Sequence, residues 1–332
     1  MIKSAYAFCA DDKYLKSSAS GGAFMAIAEE AFKTHSDCAV YGVMLDSNLS
    51  AKHVAAYSLE ECGKFQGSKY IASTVADVFE DLRNDITNGK YIVFSGVPCQ
   101  IFATIQMLHK YGFSCDNVLF VDIMCHGTPK DNIWRDYILW LEEKEKSFVV
   151  NYSFRYKPAK WKNYPSMAQF YDGRMVVNSH EVRMFNEMFL SNRIMREACY
   201  NCKFACEERC GDVSLADFWG IKNVMPSFPR ENGVSLVLIN SEKGENVMKK
   251  LTENTSYTVK KCTDDSYKAY QHNLKKPTDR PCDTDAFFED YEKYGFDYCV
   301  RKYYSYNFKG KLKFYIKKLL NEAGIVDLIR NR

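Results

Sequence analysis

Cys199, Cys202, Cys206 and Cys210 fall in one short segment, REACYNCKFACEERCGDVSLADFWG, of a 332-residue chain that holds 13 cysteines. Two thiolates three positions apart, as in Cys199-x2-Cys202, can both reach one metal from a tight turn, with backbone N–H groups meeting the sulfurs. Adding Cys206 and Cys210 would complete a closed four-thiolate site from this segment alone. Zinc needs its four ligands held tetrahedrally, whereas a [4Fe–4S] cube needs four thiolates spread around a larger object. Spacing leaves zinc, an iron–sulfur cluster and unligated thiols all open. A disulfide framework fits poorly, because the total is odd and the start, Met1-Ile2-Lys3-Ser4-Ala5-Tyr6-Ala7-Phe8, lacks the apolar core of a secretory signal.

Two more cysteines stand where strands are expected to end. Lys90-Tyr91-Ile92-Val93-Phe94-Ser95-Gly96 is a near-continuous apolar run that leads into Val97-Pro98-Cys99-Gln100. Asn117-Val118-Leu119-Phe120-Val121-Asp122-Ile123-Met124 is another, and it leads into Cys125-His126-Gly127. Ligand sites in open α/β sheets gather at such carboxyl ends, which separates Cys99 and Cys125 from ordinary buried cysteines.

The elements that would position these thiols alternate. Strands are expected at 38–44, 53–57, 90–96 and 117–124, and helices at about 20–34, 75–88, 100–111 and 130–146. Ser20 could cap the first helix, and Ser20-Gly21-Gly22 ahead of it could offer amides to a phosphate. A hairpin turning at Asp172-Gly173, strands at 212–220 and 233–240, and an aromatic-rich helix over 284–304 follow. The fold class is α/β with α+β elements in the second half: an alternating strand–helix core, a β-rich middle and C-terminal helices. Three segments are expected: an α/β lobe over 1–150, a β-rich lobe with the cysteine run over 151–280, and a helical extension with a basic tail over 281–332.

Composition narrows the function. A net charge of +3 gives no reason to expect nucleic acid, and no window approaches the ~18 apolar residues of a membrane span. A cytoplasmic protein is expected, where thiols stay reduced. The basic residues concentrate in the tail, where Lys309, Lys311, Lys313, Lys317 and Lys318 alternate with Leu312, Ile316, Leu319 and Leu320 at helical spacing. That pattern suits peripheral membrane contact through 309–332, or docking on a partner; the plainer reading is an amphipathic helix that closes the domain.

Several motifs in order then resemble the coenzyme F420 hydrogenase/dehydrogenase beta-subunit family, from about residue 17 to residue 288. They are Ser18-Ala19-Ser20-Gly21-Gly22, Gly67-Ser68-Lys69-Tyr70, Ser95-Gly96-Val97-Pro98-Cys99-Gln100 and Cys125-His126-Gly127-Thr128-Pro129. Phe154-Arg155 with Trp161, Cys199-Tyr200-Asn201-Cys202-Lys203-Phe204, Arg209-Cys210-Gly211-Asp212 and Ala216-Asp217-Phe218-Trp219-Gly220 continue the series. Singly each is weak; in order they are specific.

The resemblance implies an iron–sulfur flavoprotein oxidoreductase that passes electrons between FAD and a [4Fe–4S] cluster. It makes Cys99, Cys125, Cys199 and Cys202 the cluster ligands, with Cys206 and Cys210 as alternates. It assigns Ser20, Gly21, Gly22, Ser68, Lys69, Tyr70, Asp217 and Trp219 to the flavin, and leaves His126 to tune the cluster or relay a proton. The two-cluster ferredoxin-like module of many relatives is missing from the sequence, so a separate ferredoxin-like protein or a reduced cofactor is expected to exchange the electrons. The rival expectation is a zinc-stabilised or metal-free scaffold or partner protein that has lost redox activity, in glycan assembly for instance, with Cys199, Cys202, Cys206 and Cys210 as a closed local site.

Overall fold

The computed structural model describes residues 1–157 and 165–322, so Trp161 and the end of the basic tail lie outside the described residues. Its strands are β1 (Ser4–Cys9), β2 (Cys38–Leu45), β3 (Ala51–Ala56), β4 (Ser73–Thr74), β5 (Tyr91–Gly96), β6 (Val118–Ile123), β7 (Val149–Ser153), β8 (Met167–Phe170), β9 (Met175–Val177), β10 (Val213–Asp217), β11 (Ser235–Ile239) and β12 (Thr258–Lys261). The chain groups into two compact units.

The first unit comprises Met1–Thr128, Ser153–Pro165 and Arg196–Thr278. Its sheet has the order β12-β1-β11-β10-β6-β5-β2-β3-β4. The centre, β10-β6-β5-β2, is parallel, while β11, β1 and β12 add antiparallel on one side and β3 pairs antiparallel with β2 on the other. β5 and β6 are apolar almost throughout because both their faces are covered. On one face Val93, Leu119, Val121, Val213 and Val237 pack against Met25, Ala26 and Ile27 of the helix Ala23–Thr34 and against Met248 and Leu251 of the helix Glu242–Glu253. On the other, Tyr41, Ile92, Phe94 and Phe120 pack against Leu82 of the helix Phe79–Thr87 and Ile101 and Leu108 of the helix Pro98–Lys110.

The helix Ala23–Thr34 does not start as the sequence suggests. Its N-cap is Gly22 in the left-handed region (φ 79°), and the Ser20 hydroxyl donates instead to the Val234 carbonyl at 2.9 Å. The cause lies next door: a Cβ on Gly21 would stand 2.2 Å from the Phe8 carbonyl oxygen and 2.4 Å from the Ser235 nitrogen. The loop is pressed onto β1 and β11, which carries Ser20 away from the helix end it would cap.

The second unit comprises Pro129–Tyr152, Ser166–Met195 and Asp279–Arg332. It holds the sheet β7-β8-β9, whose last two strands form the expected hairpin, and helices that include Asp131–Glu145, Met184–Leu190, Thr284–Tyr294, Phe296–Tyr303 and Phe308–Glu322. Tyr137 and Tyr152 both donate to the Val182 carbonyl, and the Trp140 indole donates to Asp297 at 2.8 Å. The single helix expected over 284–304 is two, because Gly295 (φ 80°, ψ 178°) is extended the wrong way for a helix to run through it.

Candidate functional site

Two of the cysteines singled out from sequence, Cys99 and Cys125, follow the carboxyl ends of the parallel strands β5 and β6. β5 ends at Gly96, and Cys99 follows in the first turn of the helix Pro98–Lys110. Pro98 pre-sets that turn, and the Gln100 side chain reaches back to accept from the Val97 amide at 3.1 Å. β6 ends at Ile123, and the Met124 amide still bonds the Leu215 carbonyl of β10 at 2.8 Å, which fixes where Cys125 emerges. Cys199 sits on the short helix Glu197–Tyr200, and Cys202 follows it. The Arg196 amide donates to the Thr128 carbonyl at 2.8 Å, and the Cys199 thiol points at the same oxygen. That bond ties the start of the cysteine run to the loop that follows Cys125.

These four thiols act on one another electrically. Burial is the main force lifting the Cys99 and Cys125 thiols, Cys125 to about 12, and the neighbouring Cys199 and Cys202 sulfurs push both further. Burial, with Cys202 beside it, lifts Cys199 as well. Cys206 is different: its sulfur faces the Lys203 and Glu208 carbonyls of its own turn. Burial and the Asp122 carboxylate carry Cys210 up to about 11, with Cys206 and Cys99 close enough to contribute. Among the described residues, no three His, Cys, Asp or Glu side chains converge on a point where they could hold a single metal ion.

A buried ion pair holds the cysteine run in place; Arg209 belongs to one of the sequence motifs, but no motif includes its partner Asp122. The Arg209 guanidinium and the Asp122 carboxylate, both fully buried, bond directly. Asp122 also accepts from the Gly211 amide at 3.0 Å and the Ser214 hydroxyl at 2.8 Å, while Arg209 donates to the Phe204 and Cys206 carbonyls. The Phe102 and Phe204 rings, 5.4 Å apart, join the helix that carries Cys99 to the same loop. One signal is present in the sequence: Asp122 is the lone charge in the apolar run of β6.

The residues assigned to the flavin divide into neighbouring groups. Asp217, the last residue of β10, bonds Arg155 at 2.7 Å with both side chains nearly buried. Tyr70 interacts with Ser68, Arg155 and Asp217, and its ring lies edge-on to Phe154 at 5.6 Å. Burial raises the Tyr70 hydroxyl, and the Arg155 guanidinium opposes that shift. Across the sheet, Asp217 is the register partner of Ser235, whose hydroxyl accepts from the Gly21 amide at 3.0 Å. Ser20 and Gly21 are thus one strand away from Asp217. Lys157, which no sequence motif singles out, donates to the Leu15, Ser18 and Ser20 carbonyls; burial brings its ammonium down to about 8. Trp219 stays 44% exposed beyond the end of β10.

Two of the assigned positions also hold the local backbone. The Lys69 ammonium donates to the Lys64, Phe65 and Gln66 carbonyls, closing the 3₁₀ turn Glu61–Phe65, and burial lowers it to about 7. The His126 carbonyl accepts from the Thr278 hydroxyl, which fixes the backbone beside Cys125.

No curated protein matches the sequence. Among solved structures, a chain of the F420-reducing [NiFe] hydrogenase complex from Methanosarcina barkeri superposes with a TM-score of 0.55 at 15% identity, over 89% of this chain and 94% of that one. At that identity the likeness is one of fold. Residues 89–265, more than half of the chain, match the family described as the C terminus of the coenzyme F420 hydrogenase/dehydrogenase beta subunit, and this span contains Cys99, Cys125, Cys199 and Cys202. The chain belongs to the coenzyme F420 hydrogenase/dehydrogenase beta-subunit family.

Proposed function

We propose that this chain is an electron-transfer oxidoreductase that holds a [4Fe–4S] cluster on Cys99, Cys125, Cys199 and Cys202 and FAD beside it. The observation that carries the reading is the donor set: Cys99 and Cys125, at the ends of two adjacent strands, both lie within electrostatic reach of the distant Cys199 and Cys202. Such a set suits an object larger than one zinc ion. When bound, the two groups would supply the exchange between hydride and single-electron chemistry.

The chain's own residues do the rest. A Cys125 thiol at about 12 is no nucleophile at neutral pH, and a metal is what would remove its proton. The first-turn amides of the helix Ala23–Thr34 would meet a phosphate, with Ser20 and Gly21 fixed by β11. Arg155 holds Asp217 in one orientation, and Tyr70 and Ser68 close around that pair. The exposed face of Trp219 offers a flat surface to an aromatic ring system. Lys69 would serve this site by shaping its turn. A two-electron carrier would meet the flavin, and the electrons would pass to or from a partner protein, as the hydrogenase complex to which the similar fold belongs suggests.

Anaerobic titration of the chain with FAD tests the flavin half. Asp217→Asn keeps the shape of the carboxylate and removes its charge, and is expected to weaken FAD binding by roughly tenfold or more. Trp219→Ala is expected to weaken it as well. FAD affinity that is the same in both variants as in the parent would remove the flavin from this place.

A further inference from the structure

The helix Phe308–Glu322 belongs to the second unit and lies outside the residues that match the family. Leu312, Tyr315, Ile316, Leu319 and Leu320 recur along it at the spacing that puts them on one face. All five are exposed, Leu319 by 65%. The helix is held from its other side, where the Phe314 ring stacks on His180 at 5.0 Å and lies under the Arg183 guanidinium at 5.1 Å. An amphipathic helix that closes its domain turns its apolar stripe inward. This one turns it out.

The charges decide what could cover the stripe. Lys309 and Lys313 are exposed on the same helix, which also contains Lys311, Lys317 and Lys318 against the single acid Glu322. A second copy of the chain, paired stripe to stripe, would bring like charges together. A surface with an apolar interior and anionic headgroups takes both the stripe and the lysines. No helix among the described residues is long and apolar enough to cross a membrane, so the helix would lie in the plane of the interface. We propose that Phe308–Glu322 docks the protein on the surface of a bilayer rich in anionic phospholipid.

The test is cosedimentation of the full chain with vesicles of phosphatidylcholine alone, or with phosphatidylglycerol mixed in. Sedimentation with the anionic vesicles only, weakening as salt rises, is the expected result. Leu319→Glu and Ile316→Glu should abolish it, and each of Lys309→Ala and Lys313→Ala should weaken it by about fivefold, the equivalent of about 1 kcal/mol per surface lysine. These positions are exposed, and an unchanged melting temperature checks that the variants fold. No binding to anionic vesicles at low salt would overturn the proposal, as would equal binding to both lipids or undiminished binding by Leu319→Glu. A concentration-dependent dimer that Leu319→Glu dissolves, without lipid binding, would assign the stripe to a second copy instead.

Discussion

Cys99→Ser and Cys125→Ser are each expected to strip the anaerobically purified protein of its iron and labile sulfide, while Cys206→Ser leaves both in place. Removing a ligand should cost more than the roughly 10–100-fold in metal affinity that outer-shell changes cost. Cys99 and Cys125 lie at the ends of two adjacent parallel strands, far in sequence from Cys199 and Cys202, yet both are within electrostatic reach of those two sulfurs. The Cys206 sulfur turns to carbonyls of its own loop. Cys210 lies between these cases, within electrostatic reach of Cys99 and Cys206, so Cys210→Ser should lower the content less than Cys99→Ser does. Iron and sulfide measured on matched samples check the order. Metal that survives in Cys99→Ser and Cys125→Ser but disappears in Cys206→Ser and Cys210→Ser would mean a local site in the cysteine run.

Asp122→Ala is expected to destabilise the protein by about 3–5 kcal/mol, the cost of leaving one partner of a buried ion pair uncompensated. Arg209 has no solvent to turn to, and the Gly211 amide and Ser214 hydroxyl lose the same acceptor. A Cβ on Gly211 would stand 2.9 Å from the Asp122 carboxylate, so the loop is already closed tightly on it. Replacing both partners, Asp122→Leu with Arg209→Met, should recover much of the loss, because two apolar side chains of similar size leave no stranded charge. Urea unfolding of the single and double variants measures this. A loss under about 1 kcal/mol for Asp122→Ala would show that the pair does not hold the loop.

The parts of the site that can be read in the sequence are those whose cause is local. β5 and β6 are legible as unbroken apolar runs because they are covered on both faces, and Cys99 and Cys125 stand out because each follows such a run. β1 and β12 are not legible as strands. Thr258-Val259-Lys260-Lys261 is an edge segment with little apolar pattern, and its sheet partner, β1, is some 250 positions away. Ser20 carries every local mark of a helix cap, yet Gly21 packs against β1 and β11 and the hydroxyl follows it. The contacts that organise the site, Asp122 with Arg209 and Arg155 with Asp217, join residues 87 and 62 positions apart. No propensity or spacing rule reaches across such distances. In the tail, helical spacing reveals the apolar stripe but cannot say which way the fold turns it.

The most direct test of the central claim is the absorption spectrum of the anaerobically purified chain, taken with iron, sulfide, zinc and flavin content on the same sample. About four irons and four sulfides with one FAD per chain, and a broad band in the 400 nm region that bleaches with dithionite, is the predicted result. Zinc in place of iron, with no flavin and no cluster after reconstitution with iron and sulfide, would contradict it.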